Sequence, residues 1–321
     1  MSQISSRHLV DPQLLPLLDT LPPLELSEAM LPAMRAAPSQ FTVRPEDVER
    51  TEMVVREVPG PKGAPDVPVI VYRPKGVAAV LPCIFHIHGG GYVAGSAAGQ
   101  EAWHRPLAAA LNCCIVSVDY RLAPETRFPG AVEDCYAALA WTFAKAYELK
   151  IDPKRIGVMG ESAGGGLAAA LALLARDRGE YALAFQHLIF PMIDDRTCVD
   201  PDPHPYAGEY VWTPKSNHFG WSSLLGAPPG SEGVSPYAAA ARAENLAGLP
   251  PTYMATGSLD LFLEEDLEYA RRLTRAGVPV ELHVYPGGVH GYQWAASSDI
   301  AKASERDSRA ALAKALGSAP A

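Results

Sequence analysis

Ile156-Gly157-Val158-Met159-Gly160-Glu161-Ser162-Ala163-Gly164-Gly165-Gly166 reads as a buried strand that turns sharply into a helix. Ile156 to Met159 is short and apolar, as a strand covered on both faces requires. The next five residues, Gly160 to Gly164, fit G-x-S-x-G in the strand-turn-helix setting that this motif needs. A turn that lifts the Ser162 hydroxyl above a sheet leaves no room for side chains two positions either side, and glycine stands at both. A helix that begins directly after Ser162 points free N–H groups at the reaction centre, so the Ala163 amide is one expected oxyanion donor.

Outward from this turn, apolar extended runs alternate with helical stretches. The expected strands are Thr51 to Val58, Val67 to Tyr72, Leu81 to Ile87, Cys114 to Val118, Ile156 to Met159, His187 to Phe190, Thr252 to Thr256 and Val280 to Tyr285. The first two flank Pro59, Gly60, Pro61 and Gly63 and read as a hairpin. The expected helices are Glu101 to Leu111, Ala131 to Leu149, Ala163 to Arg178, Leu263 to Ala276 and Ala301 to Leu316. Such alternation argues an α/β fold with a mostly parallel sheet and helices on both faces.

Two segments stand apart. Residues 1 to about 45 are rich in Leu and Pro, with helical pieces such as Leu24 to Ala36, and read as an appended helical segment. Asp194 to Gly230 carries many prolines and the aromatics Tyr206, Tyr210, Trp212, Phe219 and Trp221 without strand periodicity. It is an insertion after a strand, and insertions there lie over the carboxyl ends of the strands, where open α/β sheets bind ligands.

At the end of the strand Leu81 to Ile87 comes His88-Gly89-Gly90-Gly91-Tyr92. Consecutive glycines let a backbone approach a ligand closely, so Gly89, Gly90 and Gly91 are expected to aim N–H groups at the oxygen of a tetrahedral intermediate. His290 follows Pro286-Gly287-Gly288 beyond the last expected strand, in a loop that can bring an imidazole over the sheet, and is the expected base. His88 is expected to position its loop. Asp260 follows the strand Thr252 to Thr256 and is the expected acid, with Glu264, Glu265 and Asp266 as rivals on the first helical turns. The order Ser162, Asp260, His290 is that of nucleophile, acid and base in one established arrangement of this triad.

Composition bounds the possibilities. The chain has 321 residues, 48% hydrophobic and 20% charged, with a net charge of −9 and no run of Lys or Arg, which argues against nucleic acid or an anionic membrane surface as partner. No apolar stretch reaches the roughly 20 residues of a membrane span. Met1 to Asp19 has no pattern of a secretory signal, and the expected location is cytoplasmic. The five cysteines show no CxxC pair, so neither a disulfide framework nor a metal site is expected, and no cofactor. The 27 glycines and 30 prolines exceed average usage. The glycines that carry chemistry sit at the serine turn and the His88 strip, and many prolines fall in the two segments outside the alternation.

With these residues assembled, the chain resembles the hormone-sensitive-lipase-like branch of the α/β-hydrolases, a group of bacterial esterases and lipases. Further marks are Asp119-Tyr120-Arg121-Leu122-Ala123-Pro124-Glu125, Pro191-Met192-Ile193-Asp194-Asp195-Arg196, Gly248-Leu249-Pro250-Pro251 and His290-Gly291-Tyr292. The resemblance implies an α/β-hydrolase core of residues 46–196 and 226–321 and a cap of residues 1–45 and 197–225. It implies a triad of Ser162, Asp260 and His290, with donors from Gly89, Gly90, Gly91 and Ala163 and substrate contacts at Tyr92 and Trp212. It suggests a homodimer through Val280 to Tyr285 and hydrolysis of small esters of short- to medium-chain acids through an acyl-enzyme. An amidase or formamidase on the same triad is the alternative, and a ligand receptor without catalysis a third. Two positions depart from the family's habit: Glu161, where Asp or Thr is commoner, and Leu261, where Pro is.

Overall fold

The computed structural model describes residues 5–21, 25–37, 39 and 41–317. Eight strands form one sheet: β1 (Thr51–Val58), β2 (Val67–Pro74), β3 (Leu81–Ile87), β4 (Cys114–Val118), β5 (Ile151–Glu161), β6 (Gln186–Ile189), β7 (Thr252–Gly257) and β8 (Val280–Tyr285). Their order across the sheet is β1-β2-β4-β3-β5-β6-β7-β8. β2 runs antiparallel to β1 and β4, and every later pairing is parallel. β3, β4, β6 and β7 are buried along their whole length, which is why they read as unbroken apolar runs. β1, at one edge, exposes its six inner residues.

Nine α-helices accompany the sheet among the described residues: α1 (Leu15–Thr20), α2 (Leu31–Ala36), α3 (Pro45–Arg50), α4 (Glu101–Leu111), α5 (Gly130–Ala144), α6 (Ala163–Arg178), α7 (Pro214–Leu225), α8 (Leu263–Arg275) and α9 (Asp299–Leu316). α6 is the central one, buried from Ala163 through Ala175. Its glycines and alanines let it lie against the sheet at backbone distance. A Cβ on Gly164 would stand 2.1 Å from the carbonyl oxygen of Ile87 on β3.

Several elements differ from the sequence expectation by more than two residues. β5 starts at Ile151, because Ile151 pairs with Leu81 across a register shift that the solvent-facing Pro153 and Lys154 hide from apolar patterning. α5 stops at Ala144, where the chain turns to bring the Ile151 N–H onto the Ala146 carbonyl. α7 lies inside the insertion, started by Thr213, whose hydroxyl accepts the Ser216 N–H, and by Pro214, and closed by Gly226 in the left-handed region. In the expected helix Leu24 to Ala36, Leu24 lies outside the described residues, and α2 begins only at Leu31 after a 3-10 turn at Glu28–Met30.

The N-terminal segment and the insertion are joined. Ser6 Oγ donates to Glu209 Oε2 at 2.7 Å, the Leu26 N–H donates to Ser216 Oγ at 3.2 Å, and Lys215 pairs with Glu25 at 2.8 Å. The insertion's base is tied to the core by Asp195, fully buried, which accepts two hydrogen bonds from Arg242 and one from the Gly230 N–H.

Candidate active site

β5 delivers Ser162 to the top of the sheet and α6 carries the chain away. Between the two, Ser162 has φ 56° and ψ −124°. A non-glycine residue in this region costs on the order of 1–3 kcal/mol and persists only where its surroundings fix it. Three backbone bonds of 2.9 Å do so: the Ser162 N–H donates to Ile189 O, and the Ser162 carbonyl accepts from Gly166 and Met192.

The Ser162 side chain meets two others that the sequence places far away. His290 Nε2 lies 2.9 Å from Ser162 Oγ, and His290 Nδ1 lies 2.8 Å from Asp260 Oδ2. A carboxylate only accepts hydrogen bonds, so Asp260 fixes the proton on Nδ1 and turns the Nε2 lone pair toward the serine. Asp260 is fully buried, and its other oxygen accepts the Phe262 N–H at 3.0 Å. The loops of Asp260 and His290 are laced together, with the Leu259 N–H on Gly288 O and the Gly287 N–H on Ser258 Oγ, both at 2.8 Å. The rivals stand elsewhere. Glu264 is exposed, and Glu265 accepts the Ile193 N–H. Asp266 is buried, and burial raises the carboxyls of both Glu265 and Asp266.

The strip after β3 lies against this turn. A Cβ on Gly89 would stand 2.8 Å from Glu161 O and 3.4 Å from the Ser162 Cβ. The N–H groups of Gly90, Gly91 and Ala163 make no hydrogen bond among the described residues. Gly91 has φ +61°, and a Cβ there would meet the indole of Trp212 at 2.2 Å. Trp212 is held by its N–H donating to Asn217 Oδ1 at 3.1 Å, and its ring centroid is 6.2 Å from that of His290. Trp212 therefore faces both the strip and the imidazole. Tyr92, the other expected substrate contact, is turned inward: it is 1% exposed, its hydroxyl donates to Met192 O at 2.7 Å, and its ring packs on Trp221. It braces the turn from below, because its own φ of 67° rotates the side chain into the core. His88 donates from Nδ1 to Gly89 O at 2.8 Å, stacks on Tyr120, and is held neutral chiefly by burial.

Three neighbours are not among the expected site residues. Phe190 and Phe262 meet the His290 ring edge-on, with centroids 4.7 and 5.2 Å away. His86, inside β3, places Nε2 2.9 Å from Glu161 Oε2 and Nδ1 3.1 Å from Ser117 Oγ. The only sequence signal for Phe190 is its place at the end of an expected strand.

A serine hydroxyl, an imidazole with a fixed tautomer, a buried carboxylate and unused N–H groups at one strand end suit acyl transfer. The comparison with known families agrees: residues 84–294 match the family described as alpha/beta hydrolase fold. The chain belongs to the α/β-hydrolases, in their hormone-sensitive-lipase-like branch. Carboxylesterase NlhH of Mycobacterium tuberculosis is 36% identical over 288 residues, covering 88% of each chain. Ethyl acetate hydrolase of Pseudomonas putida is 32% identical over 70% of this chain and 71% of its own. Among solved structures, bacterial heroin esterase superposes with a TM-score of 0.87 at 37% identity, covering 96% of this chain and 98% of the other. This α/β-hydrolase is a carboxylic ester hydrolase. Among its described residues no helix is long and apolar enough to cross a membrane.

Proposed function

We propose that this α/β-hydrolase cleaves small carboxylic esters of acids of about two to eight carbons, with Ser162 as nucleophile, His290 as base and Asp260 as acid. The observation that carries this is the pair of contacts on one imidazole, 2.9 Å to Ser162 Oγ and 2.8 Å to Asp260 Oδ2. His290 Nε2 takes the hydroxyl proton as Ser162 Oγ bonds to the ester carbonyl carbon. The carbonyl oxygen becomes an oxyanion, stabilised by N–H groups of the Gly89 to Gly91 strip and Ala163, each such donor contributing about 3 kcal/mol. Collapse breaks the bond to the alcohol oxygen, which receives the proton from His290. Water then attacks the acyl-enzyme by the same route, and the acid leaves.

Residues 1–45 and 197–225 form the cap in this proposal, supported by the bonds that join them, Ser6 to Glu209 and Lys215 to Glu25. The acyl limit rests on Trp212, which fills the space beside Gly91. A cytoplasmic location is supported by five free cysteines, four of them buried. A homodimer through β8 is supported by its place at a sheet edge, with Val284 37% exposed. A mass in solution near that of one chain, 34.3 kDa, overturns the dimer. The experiment for the catalytic assignment is labelling with a fluorophosphonate followed by peptide mass spectrometry. One adduct on the peptide holding Ser162 is expected, and an adduct on another serine overturns the assignment.

A further inference from the structure

The six inner residues of β1 are exposed on both faces, so no helix overhangs this edge of the sheet. Three observations fix which of its backbone groups point away from β2. Thr51 stands opposite Pro74 and Glu57 opposite Pro68, and proline has no N–H to give, so the odd-numbered residues of β1 occupy positions that exchange no bonds with β2. The Pro68 carbonyl is turned the other way and accepts from Asp119, just past β4. On β1 itself, Thr51 O accepts from Arg105 Nη1 at 3.1 Å and Val55 O from Arg56 Nη1 at 3.4 Å. The open edge therefore presents the N–H and C=O groups of Met53, Val55 and Glu57, beside the exposed side chains of Met53, Val54 and Val55. Such an edge is a template for another strand.

The strand that this edge fits is a second copy of itself. Since only odd-numbered groups face outward, a two-fold antiparallel pairing sets odd residues opposite odd ones and must be centred on a residue. Centred on Val54, it places Met53 of each copy opposite Val55 of the other, Val54 opposite Val54, and Glu52 opposite Arg56 twice. Met53 and Val55 then exchange backbone bonds, while Val54 and the Glu52–Arg56 pairs fall at the closer positions, where Cα atoms stand about 4.5 Å apart. Opposite charges and apolar side chains facing across strands are both stabilising. The neighbouring registers lose this match. Centred on Met53, the pairing sets Glu52 against Val54; centred on Val55, it sets Met53 against Glu57 and Val54 against Arg56. Neither Glu52 nor Arg56 makes a salt bridge among the described residues, and Arg56 already reaches round to the open edge at Val55 O.

We propose that β1 is an interface between two copies of this chain, whose sheets join through an antiparallel pairing centred on Val54. The contact is independent of the triad, and it lies at the opposite end of the sheet from β8, so the two edges share no residue. Light scattering at micromolar concentration should give the parent a mass of at least twice the 34.3 kDa of one chain. Glu52→Arg and Arg56→Glu each set like charges opposite one another and should halve the parent's mass. The two substitutions in one chain restore opposite charges and should return it. As a second measurement, Val54→Cys, on the two-fold axis, should cross-link to a second copy on oxidation and run at twice the mass of one chain without reductant. Glu57→Cys, opposite Thr51 of the other copy, should cross-link no more than the parent does through its own cysteines. Circular dichroism matching the parent's establishes that each variant folds. A parent mass of one chain, single variants that keep the parent's mass, or a doubly substituted chain that stays at the halved mass overturns the proposal. Equal cross-linking of the two cysteine variants overturns it as well.

Discussion

His86 Nε2 lies 2.9 Å from Glu161 Oε2, so the residue beside Ser162 is tied to the strand that ends in the glycine strip. His86 is fully buried, and its other nitrogen contacts Ser117 Oγ. This accounts for a glutamate where a shorter side chain is commoner: the link reaches across from β5 to β3. Glu161→Ala leaves a buried nitrogen unpaired, at a cost of about 1–3 kcal/mol. A lower urea midpoint is expected, with Glu161→Gln keeping most of the loss restored because its amide still reaches His86. Equal midpoints for Glu161→Ala and the parent would remove the link's stabilising role.

Ser162→Ala should reduce hydrolysis of p-nitrophenyl butyrate by a factor on the order of 10⁴ or more, with an unchanged far-ultraviolet circular dichroism spectrum. The substitution removes one oxygen, whose partner is His290, from a residue that is 8% exposed, so the fold has little to lose. Turnover within tenfold of the parent would sink the nucleophile.

Gly164→Ala is expected to destabilise the protein by more than the 1–3 kcal/mol typical of an overpacked core, about 4 kcal/mol or above. The added Cβ meets backbone, Ile87 O at 2.1 Å and His88 O at 2.5 Å, and no side chain can rotate away. Thermal unfolding checks it. A melting temperature equal to the parent's would mean that α6 can move off the sheet freely.

Arg242→Met should cost about 3 kcal/mol or more, because it strands the buried carboxylate of Asp195. The loss should exceed that of Lys145→Met, which breaks a solvent-exposed pair with Glu148 and should fall below about 1 kcal/mol. Chemical denaturation of the two variants side by side decides the ranking.

The buried histidines should make the fold lose stability in acid. Burial lowers His187 to about 3 and also lowers His88 and His104. Each is neutral when folded and binds a proton near pH 6.5 when unfolded. The sign follows: stability is full above about pH 6.5 and falls as pH drops, for His187 down to about 3, by about 1.4 kcal/mol per pH unit per group. Urea midpoints between pH 7 and 4 should fall less steeply for His187→Gln, which keeps a polar group near Ser308. Parallel slopes in the two proteins would refute this account.

Much of the core was legible because its causes are local. The unbroken apolar runs of β3, β4 and β7 follow from burial on both faces, and their limits match the expected ones to within a residue. β5 escaped in part because only Ile151 of its first five residues pairs with β3, and the exposed Pro153 and Lys154 interrupt the apolar run. α7 escaped because its twelve residues mix aromatics, Gly220 and polar groups, so no apolar face stands out in the sequence. Tyr92 adjoins the glycine strip in sequence, yet a positive φ turns it into the core.

The sequence by itself determined the strand, the serine turn, the helix after it and the glycine strip, since each depends on what a few adjacent residues permit their own backbone to do. The order of residues also marked Asp260 and His290 as partners for Ser162. Only the tertiary structure decided that His290, 128 residues from Ser162, comes within 2.9 Å of it. It alone also put the indole of Trp212 beside Gly91. These depend on how distant segments fill space against one another, and volume shared between remote side chains leaves no mark in the sequence of either segment.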